Sequence, residues 1–242
     1  MTELRVTVAS DRGLVREANQ DRIVVGRWIL GPESEGPATI RADQSDWLVS
    51  VIDGMGGHAG GGIAATIAAE TIASYGEHAA GAELLTGIVE AANRAIYDRM
   101  NQHPSLTGMG AAVACATFHG DDLLVVNVGD VRAYLINDSY LIQLSVDDTS
   151  PDGALTASLG GRAHFEPVAP HVVRESGGNE LRVLLASDGL TAAVGLDALE
   201  ELVVDDDTQL VTGMLDAVLA AGAPDNVSLA LLRRTRRAND DG

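Results

Sequence analysis

WLVSVIDGMGGHAGGG (residues 47–62) is the stretch on which the reading of this chain turns. WLVSVID (47–53) is a near-continuous apolar run, β-branched in its second half, as in a buried strand. It empties at Asp53 into a glycine-rich loop that carries one histidine, His58. Beyond Ala59 the period changes: IAATIAAETIASYG (63–76) sets Ile63, Ile67 and Ile72 among alanines at helical spacing. A strand, a carboxylate, glycines and then a helix admit four readings: a phosphate cradle, a dinucleotide loop, a metal seat or a plain turn.

Working outward, ELLTGIVEAANRAIYDRM (83–100) reads as a second amphipathic helix, and two more are expected within 195–221. Strands are expected at 4–10, 21–26, 109–118, 122–129, 132–137, 140–145, 181–187 and 226–234, with a hairpin turn at Asn137-Asp138. Residues 31–46, rich in Gly, Pro and acid, read as a surface loop. Two strand-rich blocks flank helices without βαβ alternation, which argues an α+β layered fold rather than a doubly wound one. There is no internal repeat and no convincing linker, so one domain is expected over 1–234, with a frayed tail at 235–242.

Composition narrows the chemistry. With 46% hydrophobic and only 3% aromatic residues, the core must be built from Val, Leu, Ile and Ala. The formal net charge of −19 opposes nucleic acid and anionic membrane, which are bound through basic side chains. It leaves the acids as a solvated surface, as carboxylates gathered around cations, or both. All 16 basic residues are arginine, so a P-loop, Schiff-base or catalytic lysine is excluded. The single cysteine, Cys115 in AAVACATF, rules out an intrachain disulfide and reads as a buried, inert thiol. The N-terminal sequence lacks the pattern of a signal peptide, and no apolar stretch is long enough to span a bilayer, so a cytoplasmic location is expected.

Four strand ends carry aspartate beside glycine or asparagine: Asp53-Gly54, Gly129-Asp130, Asp188-Gly189 and Asp225-Asn226; Asp21 precedes a strand in the same way. Each alone is an ordinary turn former. Together they are harder to dismiss, because converging carboxylates repel unless cations neutralise them. An oxygen-only cluster, with the six histidines scattered, selects Mn²⁺ or Mg²⁺ over zinc. Two such ions would activate a bound water and clamp the oxygens of an in-line displacement, which suits phosphate-ester hydrolysis. The rival is a dinucleotide fingerprint, since Gly54-Met55-Gly56-Gly57-His58-Ala59 satisfies G-x-G-x-x-A. It fails its context: the acid expected about 20 residues on should end a second strand, whereas Glu77 ends a helix.

In this order the motifs resemble the metal-dependent protein phosphatase family of the protein phosphatase 2C type, its bacterial members in particular. SDRGLVREANQD (10–21) is similar to the family's S-D-x-G-x-x-R-x-x-N-E/Q-D, and VIDGMGGHAGG to D-G-M-G-G-H-x-x-G. NVGDVRAYLI, LLASDGLT and APDNVSLALL correspond to V-G-D-S-R-x-Y, L-x-S-D-G-L and G-x-D-N. The resemblance runs from Leu4 to Leu232. It implies a four-layer αββα sandwich with metals at one end of the sheets. Asp53 would bridge two Mn²⁺ or Mg²⁺ ions, with Gly54 offering its carbonyl. Asp188 and Asp225 would ligate one ion, and Asp21 would hold the second largely through water. Asp130 and Asp188 would form a third, weaker site. Arg16 matches the phosphate-gripping arginine, and His58 the histidine that would supply the leaving group's proton or orient water.

The implied reaction is hydrolysis of phosphoserine or phosphothreonine by a metal-activated water, without a covalent intermediate. The implied partners are phosphoproteins and a serine/threonine kinase, with the chain a monomer. The other reading is an inactive member that binds phosphoproteins as a regulatory module. The chain departs from the family pattern at Val131 (for serine), Ala111-Ala112 (for paired threonines) and Ala192 (for aspartate). A flap that normally follows the Asp147-Asp148-Thr149 segment is nearly absent, at about 147–155, which implies a more open cleft.

Overall fold

The structure, a computed structural model, describes residues 2–32, 36–42, 47–55, 60–76, 81–177 and 180–236. Five strands come first: β1 (Thr2–Asp11), β2 (Arg22–Val25), β3 (Trp28–Leu30), β4 (Ala38–Ala42) and β5 (Val49–Met55). Helices α1 (Gly60–Ala73) and α2 (Ala82–Gln102) follow. Seven strands come next: β6 (Gly110–His119), β7 (Asp122–Val128), β8 (Arg132–Asn137), β9 (Tyr140–Gln143), β10 (Leu159–Gly160), β11 (His171–Ser176) and β12 (Glu180–Ala186). Helices α3 (Gly189–Ala193), α4 (Leu196–Glu200) and α5 (Asp207–Ala220) precede the last strand, β13 (Val227–Arg236).

The strands make two antiparallel sheets. One runs β4-β1-β13-β12-β8-β9; the other runs β11-β7-β6-β5-β2-β3, with β10 paired to β6. Period-2 alternation sends one set of side chains between the sheets: Val6 and Val8 of β1, Val49 and Val51 of β5, Val183 and Leu185 of β12, Ala230 and Leu232 of β13. The opposite set meets helices. Ile52, Val113 and Val126 pack under Ala65, Ala68 and Ile72 of α1 and Ile88, Ala92 and Ile96 of α2. Leu184, Leu229 and Leu231 pack under Leu210, Val211 and Met214 of α5. Three apolar layers thus separate four layers of structure, and the αββα sandwich is present. Central strands are apolar on both faces because both faces are covered.

Most expected elements are found within a few residues of their assigned ends. The β8–β9 hairpin turns where expected, with Asp138 at φ 52°. The reading of 31–46 as loop is corrected: Ala38–Ala42 is an edge strand, pairing Ile40 with Val6 and Ala42 with Leu4. That pairing partner is remote in sequence, and the segment is too short to announce itself. Strands β3, β10 and β11 were likewise not anticipated, nor was the short helix α3. The last strand continues to Arg236, where Arg236 faces Thr2, two residues into the stretch read as tail; residues 237–242 lie outside the described ones.

Residues 144–158 hold one isolated bridge, Thr149 to Leu155, and a turn closed by Ser150 N–H donating to the Ala154 carbonyl (2.8 Å). Cys115 is buried, accepts from the Ser50 hydroxyl, and has its thiol pKa pushed up to about 12 by burial. No helix among the described residues is long and apolar enough to cross a membrane.

Candidate active site

Antiparallel pairing decides where the aspartates go. In β5, Val49 and Val51 face the inter-sheet core, so Asp53 faces the same way at the strand's end, opposite Ala112 of β6. Neighbouring β2 starts where β5 ends, with Arg22 opposite Ile52, and this sets Asp21 close by. Likewise β12 ends where β13 starts; Ser187 N–H donates to the Ser228 carbonyl (3.0 Å), and Asp188 and Asp225 flank that pair. The β7–β8 turn, with Gly129 at φ +94°, carries Asp130 from one sheet to the other. A Cβ on Gly129 would stand 2.5 Å from the Ala112 methyl. Glycine there and alanine at 112 thus fit one another closely.

Asp53, Gly54, Asp130, Asp188, Asp225 and Arg16 line one cavity of about 670 Å³. Asp21 does not line it. It lies 1% exposed, its Oδ2 accepting from Ser187 Oγ (2.8 Å). Asp21 Oδ1 and Asp188 Oδ1 are buried without hydrogen-bond partners. Burial, reinforced by the charges of Asp188 and Asp225, raises the Asp21 pKa to about 7 against the opposing hydroxyls of Ser187 and Ser228. Burial pushes Asp53 well above the usual carboxylate range, with Asp21, Asp188 and Asp130 adding repulsion. Asp130 rises to about 6, through burial and then Asp188. Asp188 rises too, through burial and then Asp225.

Orphaned carboxylate oxygens and mutual repulsion are both relieved by a cation, and an all-oxygen donor set fits a hard divalent one. Among the described residues no three His, Cys, Asp or Glu side chains already form a closed ligand cage. Two of the carboxylates are instead turned to protein donors: Asp225 Oδ2 accepts from Arg16 (2.5 Å) and Asp21 Oδ2 from Ser187. The Arg16 guanidinium feels Asp225 first and then Asp188 and Asp53, and its pKa is raised accordingly.

Two positioning side chains were missed in the sequence. Asn226 is 6% exposed and fastens the loop that carries Arg16. Its Nδ2 donates to the carbonyls of Arg12 (2.8 Å) and Ala18 (3.0 Å), and its Oδ1 accepts from Gln20 N–H (2.8 Å). An Asp-Asn pair at a strand start reads simply as a turn. The signal, a side-chain amide with all its partners on one distant loop, is visible only in three dimensions. Asp148 clasps the Asp130 turn: its Oδ2 accepts from Gly129 N–H (2.9 Å), and its own N–H donates to the Gly129 carbonyl (3.0 Å). Its Oδ1 contacts His171 Nε2 (2.8 Å).

Gly54 is held tightly, since a Cβ there would lie 2.4 Å from the Gly61 carbonyl oxygen of α1. Val131, the expected serine position, is fully buried between the sheets. His58 falls outside the described residues.

The family model described as "Protein phosphatase 2C" matches residues 37–231. Serine/threonine protein phosphatase PstP of Mycobacterium tuberculosis is 30% identical over 94% of this chain, which spans 44% of that relative's length. Serine/threonine phosphatase stp of Listeria monocytogenes is 24% identical over 96% of this chain and 97% of its own. Among solved structures, the PstP catalytic domain in complex with two manganese ions superposes with a TM-score of 0.80 at 29% identity, covering 98% of this chain and 100% of that one. The phosphatase MsPP of Mycobacterium smegmatis, in complex with cacodylate, gives 0.74 at 25% identity over 94% and 97%. Ordered motifs, the family match and the architecture of the solved relatives agree: the chain belongs to the protein phosphatase 2C family.

Proposed function

We propose that this chain is a metal-dependent phosphoprotein phosphatase that hydrolyses phosphoserine and phosphothreonine esters without a covalent intermediate. The observation that carries the reading is one cavity holding Asp53, Asp130, Asp188 and Asp225 together with Arg16. The two manganese ions of the PstP catalytic domain support the same metal class. Asp53, Asp188 and Asp225, with Asp21 beneath and the Gly54 carbonyl beside them, would hold two Mn²⁺ or Mg²⁺ ions; Asp130 with Asp188 would hold a weaker third. Such ions, when bound, acidify water and neutralise charge on a phosphoryl group.

The chain's own residues do the rest. Arg16 has one N–H group on Asp225, and the other donors of its planar fork remain to grip phosphate oxygens. Asn226 fixes the height of Arg16 over the carboxylates, and Asp148 fixes Asp130. The departing alkoxide needs a proton, a role for which the family resemblance puts forward His58. The Asp21 side chain, clasped by Ser187, would add its negative charge to that of Asp53 once a bound cation ionises it.

The chain acts as one phosphatase domain with the flap nearly absent. The short connection at 144–158, with its single bridge, supports this. Its substrates are phosphoproteins, its counterpart is a serine/threonine kinase, and it works as a monomer in the cytoplasm. A phosphothreonine peptide and an aryl phosphate assayed with Mn²⁺ and with EDTA test the reading. Turnover should need Mn²⁺ and vanish in Asp53→Ala. Turnover that persists in that variant, or is absent from the intact protein, overturns it.

A further inference from the structure

Val15 and Leu14 are 68% and 66% exposed, more than any other large apolar side chain among the described residues. Scattered exposed apolar groups are ordinary. These two are consecutive, directly precede Arg16, and Val15 lines the carboxylate cavity. The loop that presents them is not free to fold them away. Leu14 N–H donates to the Ala223 carbonyl (3.0 Å), and Gly13 N–H to Asp11 Oδ1 (2.7 Å). Gly13 turns at φ +75° so close to β13 that a Cβ would stand 2.3 Å from the Asp225 carbonyl oxygen. Asn226 staples the carbonyls of Arg12 and Ala18 on either side. Arg16 itself is tied to Asp225. Fixed backbone on both flanks holds Val15 at the rim and Leu14 exposed next to it in advance, which lowers the entropy lost when something covers them.

Met55 and Leu155 line both this cavity and an adjoining one of about 530 Å³, whose walls mix Tyr97, Ala157 and Val168 with Ser158, Arg162, Glu166 and His171. A polypeptide crossing the carboxylates meets Val15 at the rim beside Arg16. Successive Cα atoms are about 3.8 Å apart, so the residue next to a phosphoserine or phosphothreonine gripped by Arg16 reaches this rim.

We propose that Leu14 and Val15 form an apolar shelf selecting phosphoproteins with an aliphatic residue immediately beside the phosphorylated one. This rests on the phosphatase reading above. The test compares phosphothreonine peptides that differ only in Leu against Ser at the residue before, or at the residue after, the phosphothreonine. The kcat/KM ratio is read with Mn²⁺, and relative affinity by fluorescence anisotropy of labelled peptides in EDTA. At one of the two positions the Leu peptide should be favoured about tenfold, the order of a modest hydrophobic contact. In the Leu14→Ser/Val15→Ser protein, with folding verified by its Tm, that ratio should fall to about one. No discrimination at either position, or discrimination that survives the double substitution, overturns the shelf. Discrimination by anisotropy without any turnover keeps the shelf and sinks the phosphatase reading instead.

Discussion

At the scale of the residue, the aspartates and Asn226 teach opposite lessons. Asp53, Asp130, Asp188 and Asp225 were legible because a carboxylate at the end of an apolar strand is odd five times over, and antiparallel pairing brings four of them to one cavity. Asp21 was legible as a member of the cluster but not as a buried one; only the packing of Ser187 and Ser228 around it shows that. Asn226 was not legible, since its value lies in three backbone partners some two hundred residues earlier in the chain. Replacing it leaves the part-buried carbonyls of Arg12 and Ala18 and the Gln20 N–H without their partner. Asn226→Ala should therefore cost about 1–2 kcal/mol in denaturant unfolding, the lower part of the range for polar groups deprived of a partner. With Arg16 released, KM for a phosphopeptide should rise more than kcat falls. Unchanged stability together with unchanged KM would contradict the positioning role.

At the scale of the element, strands β5, β12 and β13 were visible because layers on both faces make their covered spans (Val49–Ile52, Val183–Ala186, Leu229–Leu232) near-continuous apolar runs. The edge strands β3, β4 and β11 were not, because a short exposed strand draws its identity from the neighbour it pairs with. Residues 38–42 become a strand only beside β1. The same strand ends give a pH signature. Asp21 and Asp130 have folded-state pKa values raised to about 7 and about 6, against about 3.9 for an ordinary aspartate. A carboxyl raised in the folded state favours folding while it is protonated in both states. Its contribution is full below about pH 4 and is lost as pH climbs through the raised value. In EDTA, Tm should fall as pH rises from 4 to 7.5. Asp130→Asn should flatten the part of that fall between pH 4 and 6. A Tm profile in which wild type and Asp130→Asn run parallel over that window would refute the raised pKa assigned to Asp130.

At the scale of the whole molecule, the four-layer sandwich explains why a chain of net charge −19 keeps so many acids in one place. Two sheets closed by helix layers leave one open end, and strand direction delivers the carboxylates there. The flap was read only as a gap between motifs, and the second cavity beside residues 144–158 needed the folded path of residues 155–171. Binding a divalent cation must ionise carboxylates that burial and then repulsion keep partly protonated, so metal uptake should release protons and strengthen with pH. Calorimetric titration with Mn²⁺, run at pH 6.0 and 7.5 in buffers of different ionisation enthalpy, reads both effects at once. The expected result is two ions bound at pH 7.5, weaker binding with more protons released at pH 6.0, and loss of the tighter site in Asp53→Asn. Mn²⁺ binding that is absent at both pH values, or that is untouched by Asp53→Asn, would contradict the assignment of this cavity as a metal centre.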